Sequence, residues 1–309
     1  MINENLFEVK KILGEKLQEN VRMANYTTIR VGGPALGFLP ANTLDELTQA
    51  ANVLWQNQVP FKVIGSGSNF LVSDKGYNGI ILLNRAHNIR IQSNESPFTV
   101  DAESGAIFGT LARQSAIRGL SGMEWANSIP GTVGGAIYGN AGAHGSDISC
   151  NLIMATILHP INGKENWPLE KLQYQYRSSV LKREKLDAVI LSGLFGVEQS
   201  SRQEAQARIL SYSEKRKKTQ PEGASFGSTF RNPVGDHAGR LIEAVGLKGH
   251  QIGHAMISQV HANFIINSGG ARAADIYSLI CLAKNEVKNR FGVELVLEIE
   301  LLGDFEDEK

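Results

Sequence analysis

The feature that most constrains this chain is a glycine-rich segment at residues 128–145, SIPGTVGGAIYGNAGAHG, in which six of the eighteen residues are glycine. Glycine has no Cβ, so the backbone of such a segment can approach a flat or anionic group closely and can adopt positive φ angles. Ordering each residue costs about 1–2 kcal/mol of backbone conformational entropy. We therefore expect this segment to wrap a bound cofactor rather than to act as a plain connection.

Composition describes an ordinary globular protein with a sizeable core. The chain has 309 residues, of which 42% are hydrophobic and 20% charged, and its formal net charge is +0. A balanced charge gives no general attraction to nucleic acid, so we expect no nucleic-acid partner. We also expect no membrane insertion and a cytoplasmic location, because neither a secretory signal nor an apolar run near ~18 residues is present. Cys150 and Cys281 are expected to be buried thiols in a reducing compartment.

Hydrophobic periodicity and turn residues predict a mixture of helices and strands, and therefore the α+β class. Thr43 and Glu46 form a capping-box pattern, which predicts a helix from there to about residue 57. Helical spacing predicts further helices at residues 5–19, 107–118, 202–218, 238–244 and 272–289. Runs rich in β-branched and aromatic residues predict strands at 25–31, 61–64, 70–72, 79–83, 89–92, 98–102, 152–158, 188–194, 256–258, 263–266 and 293–302.

The glycines do not match the usual nucleotide-binding loops. A G-x-G-x-x-G turn lies between a strand and a helix, whereas the residues after Gly65-Ser66-Gly67 continue as a strand. No G-x-x-x-x-G-K-[ST] loop is present either. A phosphate here would be bound by backbone N–H groups in turns, with Ser66, Ser68 and Asn69 adding side-chain donors. We expect a dinucleotide cofactor on a mixed α+β frame.

Five motifs occur in one order along the chain. They are Gly65-Ser66-Gly67-Ser68-Asn69, the run 122–145, Tyr176-Arg177-x-Ser179, Gly227-Ser228-x-Phe230-x-Asn232-Pro233, and Leu297-Glu298 before Gly303. Together they resemble the UDP-N-acetylenolpyruvoylglucosamine reductase family, the flavoenzymes that complete UDP-N-acetylmuramate for bacterial cell-wall synthesis. The resemblance extends from about residue 25 to residue 303.

The resemblance implies an FAD-binding domain of the vanillyl-alcohol-oxidase (PCMH) type in two subdomains, followed by an α+β substrate domain. We place the first subdomain at 1–86, with a return of 299–309, the second at 87–212 and the substrate domain at 213–298. Non-covalent FAD, NADPH as reductant and the enolpyruvyl ether of UDP-N-acetylglucosamine as substrate are also implied. The residues expected to bind FAD are Gly65, Ser66, Gly67, Ser68, Asn69, Ser128, Ile129, Gly131, Thr132, Gly134, Gly135, Asn140 and Ala141, largely through the backbone amides of 128–132 and 139–141.

Two positions depart from the family pattern. Ser66 stands where the family commonly has a third glycine, which changes the expected diphosphate turn. The connection between Arg177 and Ser228 is too short for the tyrosine-bearing substrate loop of one subtype. It therefore indicates the shorter subtype.

Reduction of an enolpyruvyl ether leaves negative charge on the carbon beside the carboxylate, so the site needs cationic donors and a proton donor. The resemblance implies that Ser228 donates the proton and that Arg177 binds the carboxylate. The residues alone favour a simpler interpretation, in which Ser228 is a turn residue that bonds its own backbone and Arg177 is a surface arginine. The motif matches favour the catalytic roles.

Glu298 is the third catalytic residue that the resemblance implies. An acid beside a developing anion repels it unless the acid is protonated, and burial in a strand favours the protonated form. Glu300 and Glu294 would share the same strand face, and Glu300 is the alternative. Family positions that contact the substrate match Asn232 and Lys248, and Arg216 ends a basic helix that either meets the diphosphate or is simply solvated.

Two other functions remain open at this point. The first is another FAD-dependent alcohol or sugar oxidoreductase on the same frame, and the second is a non-catalytic nucleotide-binding protein. Ser228, Arg177 and Glu298 together favour the reductase, because a binding protein has no use for a proton donor. His250, His254 and His261 share no ligand spacing with an acid or a cysteine, so we expect no metal site.

Overall fold

The computed structural model describes residues 2–305. Its helices are α1 (Ile2–Leu13), α2 (Leu44–Gln56), α3 (Phe108–Ile117), α4 (Val133–Gly139), α5 (Val180–Arg183), α6 (Arg202–Thr219), α7 (Ala238–Ala244) and α8 (Ala273–Phe291). Its strands are β1 (Gln18–Arg22), β2 (Pro34–Ala41), β3 (Phe61–Ile64), β4 (Phe70–Val72), β5 (Tyr77–Asn84), β6 (Ile89–Gln92), β7 (Thr99–Glu103), β8 (Leu120–Ser121), β9 (Gly142–Ala143), β10 (Ser146–Asp147), β11 (Leu152–His159), β12 (Gly163–Pro168), β13 (Val189–Gly196), β14 (Glu198–Gln199), β15 (Gln251–Ile252), β16 (Ala255–Ile257), β17 (Ile265–Asn267) and β18 (Glu300–Leu302).

The chain divides into two compact units, which we call the first and the second unit. The first consists of Met1–Gln18, Phe38–Gly65 and Ile81–Arg216, and the second of Glu19–Gly37, Ser66–Ile80 and Lys217–Lys309, of which residues 2–305 are described. The three predicted domains and their boundaries stay a prediction.

An antiparallel sheet of the order β12-β11-β13-β7-β6 forms the centre of the first unit. From Leu191 to Gly196, alternate residues of β13 are buried, as expected for a sheet with one covered face. Phe108 of α3, Ile137 of α4 and Phe195 of β13 are all fully buried in one apolar cluster. The sheet and this cluster hold α4, and with it the glycine-rich segment, in place.

The second unit has a smaller antiparallel sheet, β15-β16-β17, on which α8 packs. Leu241 of α7, Ile257 of β16 and Ile276 of α8 are buried together in its core. In the same unit, β18 pairs in parallel with β4, so that Glu300 is opposite Phe70. This pairing brings Glu300–Leu302 beside Phe70–Val72, which directly follow the glycine motif at residues 65–69.

Most predicted elements are confirmed within about two residues, and α2 also confirms its cap. The Oγ1 of Thr43 accepts from the N–H of Glu46 at 3.2 Å. The Glu46 carboxylate accepts from the N–H of Asn42 at 2.8 Å rather than from that of Thr43. Strand β12 was not predicted, because its sequence, GKENWP, is mostly polar.

The predicted strand at 25–31 is wrong. Residues Met23–Tyr26 form a 3-10 turn, and the next strand begins only at Pro34. The side chain of Thr27 explains the difference, since its Oγ1 donates to the carbonyl of Val31 at 2.8 Å and accepts from its N–H at 3.2 Å. These local bonds replace those of a strand.

The predicted strand at 293–302 is also mostly wrong, because only β18 is regular. The N–H of Glu298 donates to the carbonyl of Thr229, and the N–H of Arg231 to that of Val296, so this segment pairs with an irregular one. The predicted helix at 5–19 ends at Leu13, where Gly14 has a φ of 63° and stops it.

Neither cysteine is fully buried. Cys150 is exposed and Cys281 half-buried, so the expectation of two buried thiols is wrong. Among the helices of residues 2–305, none has the length and apolar character needed to cross a membrane.

Candidate active site

The glycine-rich segment, which we expect to wrap a cofactor, folds into short regular elements in the first unit. Helix α4 occupies Val133–Gly139. Strands β9 (Gly142–Ala143) and β10 (Ser146–Asp147) form a hairpin after it. A Cβ on Gly134 would lie 2.9 Å from the Cβ of Ser104, so this glycine permits close packing. A Cβ on Gly139 would meet no atom within 4 Å, and one on Gly135 only the Oγ1 of Thr132 at 3.9 Å. The helix therefore packs on one side and is open on another.

Gly65 and Thr132, which belong to different predicted cofactor motifs, are in contact in the first unit. A Cβ on Gly65 would lie 2.3 Å from the Oγ1 of Thr132, so only glycine allows the end of β3 to pass the start of α4. Within residues 2–305, the amides of Gly131 and Thr132 have no hydrogen-bond acceptor. Two neighbouring amides beside an open glycine surface fit the phosphates of a dinucleotide.

Other amides of the segment are already used. The N–H of Ile129 donates to the carbonyl of Ala126, and those of Asn140 and Ala141 both donate to the carbonyl of Ala136. Any contact of these three residues with a cofactor therefore requires other atoms.

Arg216 of α6 holds the first residue of the glycine-rich segment. Its guanidinium donates to the carbonyl of Ser128, and burial lowers the pKa of Arg216. The Oγ of Ser128 lies 3.1 Å from the Nε2 of His144, whose ring stacks on Tyr212 with centroids 4.3 Å apart. The alternative of a simply solvated helix end is therefore wrong for Arg216.

Arg177 lies in a loop that is attached to the end of α4, still within the first unit. The hydroxyl of Tyr174 donates to the carbonyl of Ile137 at 2.8 Å, and that of Ser179 to the carbonyl of Tyr138 at 2.6 Å. The Arg177 guanidinium donates to the carbonyl of Gly142 at 2.5 Å. The bonds from Tyr174 and Ser179 satisfy carbonyls that a helix end leaves without partners. Arg177 is thus half-buried and held, not a free surface arginine.

Residues 66–69, which complete the glycine motif that begins at Gly65, lie in the second unit. Gly67 has a φ of 62°, and a Cβ there would be 1.9 Å from the carbonyl oxygen of Tyr26, so glycine is required. The Oγ of Ser66 is buried and has no hydrogen-bond partner within residues 2–305. A buried hydroxyl without a partner costs stability, and a phosphate oxygen would satisfy it.

Asn69 connects this motif to Glu298 in the second unit. The Nδ2 of Asn69 donates to the carbonyl of Glu298 at 3.2 Å, and the carbonyl of Asn69 accepts from the N–H of Glu300 at 2.8 Å. A predicted cofactor residue and a predicted catalytic residue are therefore neighbours.

Ser228 and Glu298 also lie on adjacent segments. Ser228 forms a β-bridge with Phe264, and the carbonyl of the next residue, Thr229, accepts from the N–H of Glu298 at 2.9 Å. In the described part of the chain the Ser228 hydroxyl makes no hydrogen bond, so the alternative in which it bonds its own backbone is not observed. The hydroxyl is half-buried and available.

Glu294, Glu298 and Glu300 do not lie on one strand, contrary to the prediction. Glu298 is in a bend before β18, not in a strand, and it is half-buried. The shared strand face with Glu294 does not exist, and Glu294 instead pairs with Lys288 at 2.6 Å in solvent.

Asn232 and Lys248 have structural partners in the second unit. The Oδ1 of Asn232 accepts from the N–H of Ala238 at the start of α7, and the Nζ of Lys248 lies 3.0 Å from Glu243 Oε1. Among the described residues, no group of three or more histidine, cysteine or acidic side chains could hold a metal.

Comparison with known proteins decides the family. A family model described as "UDP-N-acetylenolpyruvoylglucosamine reductase, C-terminal domain" matches residues 219–302, and one described as "FAD binding domain" matches residues 35–161. The reductase of that name from Chloroflexus aggregans is 42% identical over 299 residues, which are 95% of this chain and 100% of the relative. The chain belongs to this family.

Further members of the reductase family agree over nearly the full length. The one from Bacillus subtilis is 38% identical over 297 residues, or 96% of this chain and 97% of the relative. The crystal structure of the Thermus caldophilus reductase has a TM-score of 0.78 and 32% identity, covering 93% of this chain and 100% of that one. As a family member with the FAD-binding domain, the protein is an FAD-dependent oxidoreductase.

The two family models divide the predicted site residues. The FAD-binding match contains the predicted residues from Gly65 to Ala141, and the C-terminal match contains Ser228, Asn232, Lys248 and Glu298. Arg177 and Arg216 lie outside both. Sequence reasoning missed His144 and Tyr212. The four-residue spacing of Tyr212 and Arg216, which places both on one helix face, was the signal that could have found Tyr212.

Proposed function

We propose that this protein reduces the enolpyruvyl ether of UDP-N-acetylglucosamine to UDP-N-acetylmuramate with NADPH as reductant, for peptidoglycan synthesis. FAD, when bound, supplies the hydride transfer from NADPH to the substrate. The acceptor-free amides of Gly131 and Thr132, the buried hydroxyl of Ser66 and the open surface at Gly135 support FAD binding at the predicted residues.

Arg177 binds the carboxylate of the substrate. A guanidinium offers two parallel N–H donors to a carboxylate and keeps its charge at any relevant pH. Negative charge that develops beside the carboxylate spreads onto its oxygens, so this contact is stronger in the transition state than in the ground state. The bonds that hold Arg177 support this role, because a fixed donor needs no reorganisation during reaction.

Ser228 delivers the proton to the carbon beside the carboxylate. A serine hydroxyl is a weak acid, but a carbanion is a strong base, so proton transfer between them is favourable. This hydroxyl makes no hydrogen bond within residues 2–305. This is the observation on which the mechanism chiefly depends.

Glu298 acts in its protonated form as a hydrogen-bond donor to the developing negative charge. The bond from its N–H to the carbonyl of Thr229 keeps it beside the Ser228 segment, and its carbonyl accepts from Asn69. Replacement by glutamine keeps a donor and is therefore expected to be milder than replacement by alanine.

Replacing Ser228 tests the mechanism directly. We expect Ser228→Ala to slow re-oxidation of the NADPH-bleached flavin by the enolpyruvyl substrate about 10²–10⁴-fold, the usual contribution of a general acid. Bleaching by NADPH itself should be unchanged, because it does not need this proton. Stopped-flow absorbance measures both steps separately.

Ser225→Ala is the matched control, since it makes the same change in the same turn-rich segment and should leave both steps unchanged. Ser228→Cys should restore part of the rate, because a thiol is also a proton donor. A Ser228→Ala enzyme with normal re-oxidation would show that the proton comes from elsewhere. Bleaching by an alcohol or a sugar in place of NADPH would contradict the reaction itself.

The substrate contacts and the surroundings of the protein complete the proposal. Arg216, Asn232 and Lys248 contact the sugar nucleotide, and the chain is of the shorter subtype without a tyrosine-bearing loop. We place the protein in the cytoplasm. We propose no nucleic-acid partner for it, which its zero formal net charge supports.

A further inference from the structure

Asn140 is buried beside the Arg177 loop, and its side chain is completely engaged. It ends α4 in the left-handed conformation, with φ 47° and ψ 58°, and is 3% exposed. Its Nδ2 donates to the carbonyl of Gln175 at 3.1 Å and to the Oδ2 of Asp147 at 3.3 Å. Its Oδ1 accepts from the N–H of Ser149 at 3.3 Å. The side chain therefore bonds protein atoms at both ends.

Asp147 determines which way the amide of Asn140 points. The Oδ1 of Asp147 accepts from the N–H and the hydroxyl of Ser149, at 3.0 and 2.5 Å. Its Oδ2 remains for the Nδ2 of Asn140, and a carboxylate accepts but cannot donate. A flipped amide would place two oxygens against each other, so the NH₂ group is directed to Gln175.

Asn140 contacts the Arg177 loop in a second way, through its backbone. The carbonyls of Asn140 and Gly142 accept from the Arg177 guanidinium, at 3.5 and 2.5 Å respectively. A Cβ on Gly142 would lie 2.9 Å from the Nη1 of Arg177, so glycine permits this approach. Arg177 itself has a φ of 54°, which its surroundings must maintain.

We infer that Asn140 is a positioning residue for Arg177. Its amide holds the loop backbone at Gln175, two residues before Arg177, and its carbonyl helps to orient the guanidinium. This inference rests on the proposed role of Arg177 as the carboxylate-binding group. It gives the Asn140 side chain a task different from the cofactor contact that the sequence predicts.

Asn140→Asp removes both bonds of the Nδ2 while it keeps the size and the Oδ1 acceptor, and it places a second carboxylate against Asp147. We expect kcat/KM for the enolpyruvyl substrate to fall at least about tenfold, because the bond to the Gln175 carbonyl is lost. The affinity for FAD, followed by quenching of flavin fluorescence, should stay unchanged. Asn140→Gly should behave alike, because glycine accepts the left-handed conformation without strain and so removes the amide alone.

Asn151→Asp is the matched control. The Oδ1 of Asn151 accepts from Trp125 Nε1 at 3.1 Å and its Nδ2 donates to the carbonyl of Gly196 at 3.3 Å, so the change removes an equivalent bond to a backbone carbonyl. It makes no bond to the Arg177 loop. We expect a similar fall in melting temperature and an unchanged kcat/KM.

A double-mutant cycle separates positioning from a general structural role. In an Arg177→Ala background, Asn140→Asp should lower kcat/KM by less than about twofold, because the group that it positions is gone. A loss that stays tenfold in this background, a loss of FAD affinity, or no loss in the Arg177 enzyme would overturn the inference. If Arg177→Ala alone leaves kcat/KM unchanged, the proposed role of Arg177 is what fails.

Discussion

Ser128, the first residue of the glycine-rich segment, ends a 3-10 helix over Glu124–Ser128 and is also held by three side chains. His144 contacts its hydroxyl, Tyr212 stacks on His144, and Arg216 donates to its carbonyl. A stacked aromatic pair contributes about 0.5–1.5 kcal/mol beyond the area that it buries. At the scale of single residues, one histidine therefore helps to hold the start of the predicted cofactor segment.

His144 should make stability depend on pH. Burial, with the charges of Lys215 and Arg216, lowers the pKa of His144 below the ordinary 6.5. The unfolded chain then binds the proton more readily, so the free energy of unfolding should fall as the pH falls below 6.5. Urea denaturation at a series of pH values measures this.

His144→Gln should flatten that dependence, since it removes the titrating group. The control is His87→Gln, because His87 is exposed and contacts only the carbonyl of Arg85. Equal pH slopes in the wild type and in His144→Gln would contradict the expectation.

At the scale of elements, helix α2 shows how a local signal in the sequence becomes stability. The Oγ1 of Thr43 accepts from the N–H of Glu46, and Leu47, Ala50 and Leu54 are buried on one face. Capping satisfies one of the amides that a helix start leaves without partners. The capping residue fixes the start, and the apolar face attaches the helix to the core.

Thr43→Ala should lower the free energy of unfolding by about 1 kcal/mol. Thr43→Ser should recover most of the loss, because serine also offers a hydroxyl as acceptor. Chemical denaturation of the three proteins at one pH gives the comparison. Equal stability of Thr43→Ala and the wild type would show that the Glu46 carboxylate, which accepts from Asn42, caps the helix alone.

At the scale of the whole molecule, cofactor binding should contribute to folding stability. A ligand that binds only the folded state stabilises it by about 2.7 kcal/mol at 100 times its dissociation constant. We therefore expect FAD to raise the melting temperature of the apoprotein, in proportion to the logarithm of its concentration. FMN lacks the second phosphate and should raise it less.

Gly65→Ala should weaken this effect. The added Cβ would lie 2.3 Å from the Oγ1 of Thr132, so β3 and the start of α4 must separate, and with them the acceptor-free amides of Gly131 and Thr132. Gly196→Ala is the control, because Gly196, like Gly65, has no positive φ and a Cβ there would make only an ordinary contact, 3.5 Å from the Cδ1 of Ile153. An undiminished FAD-dependent rise in Gly65→Ala would contradict the assignment of this surface to FAD.

The sequence by itself determined the α+β class, most helices and strands, and the family. Local physics explains this success. Helix α2 carries its own cap and periodicity, and strands such as β3 are bounded by turn residues. Ser228 and Glu298 were found because their motifs match the family, not because of any periodicity.

Only the tertiary structure decided what surrounds those residues. The stack of His144 on Tyr212, the contact of Gly65 with Thr132 and the complete engagement of Asn140 join residues distant in the chain, and such contacts have no local signal. The same reason explains the failures at 25–31 and 293–302. There, side-chain bonds and an irregular partner segment outweighed a local preference for strands, because each backbone amide takes whichever partner the whole fold provides.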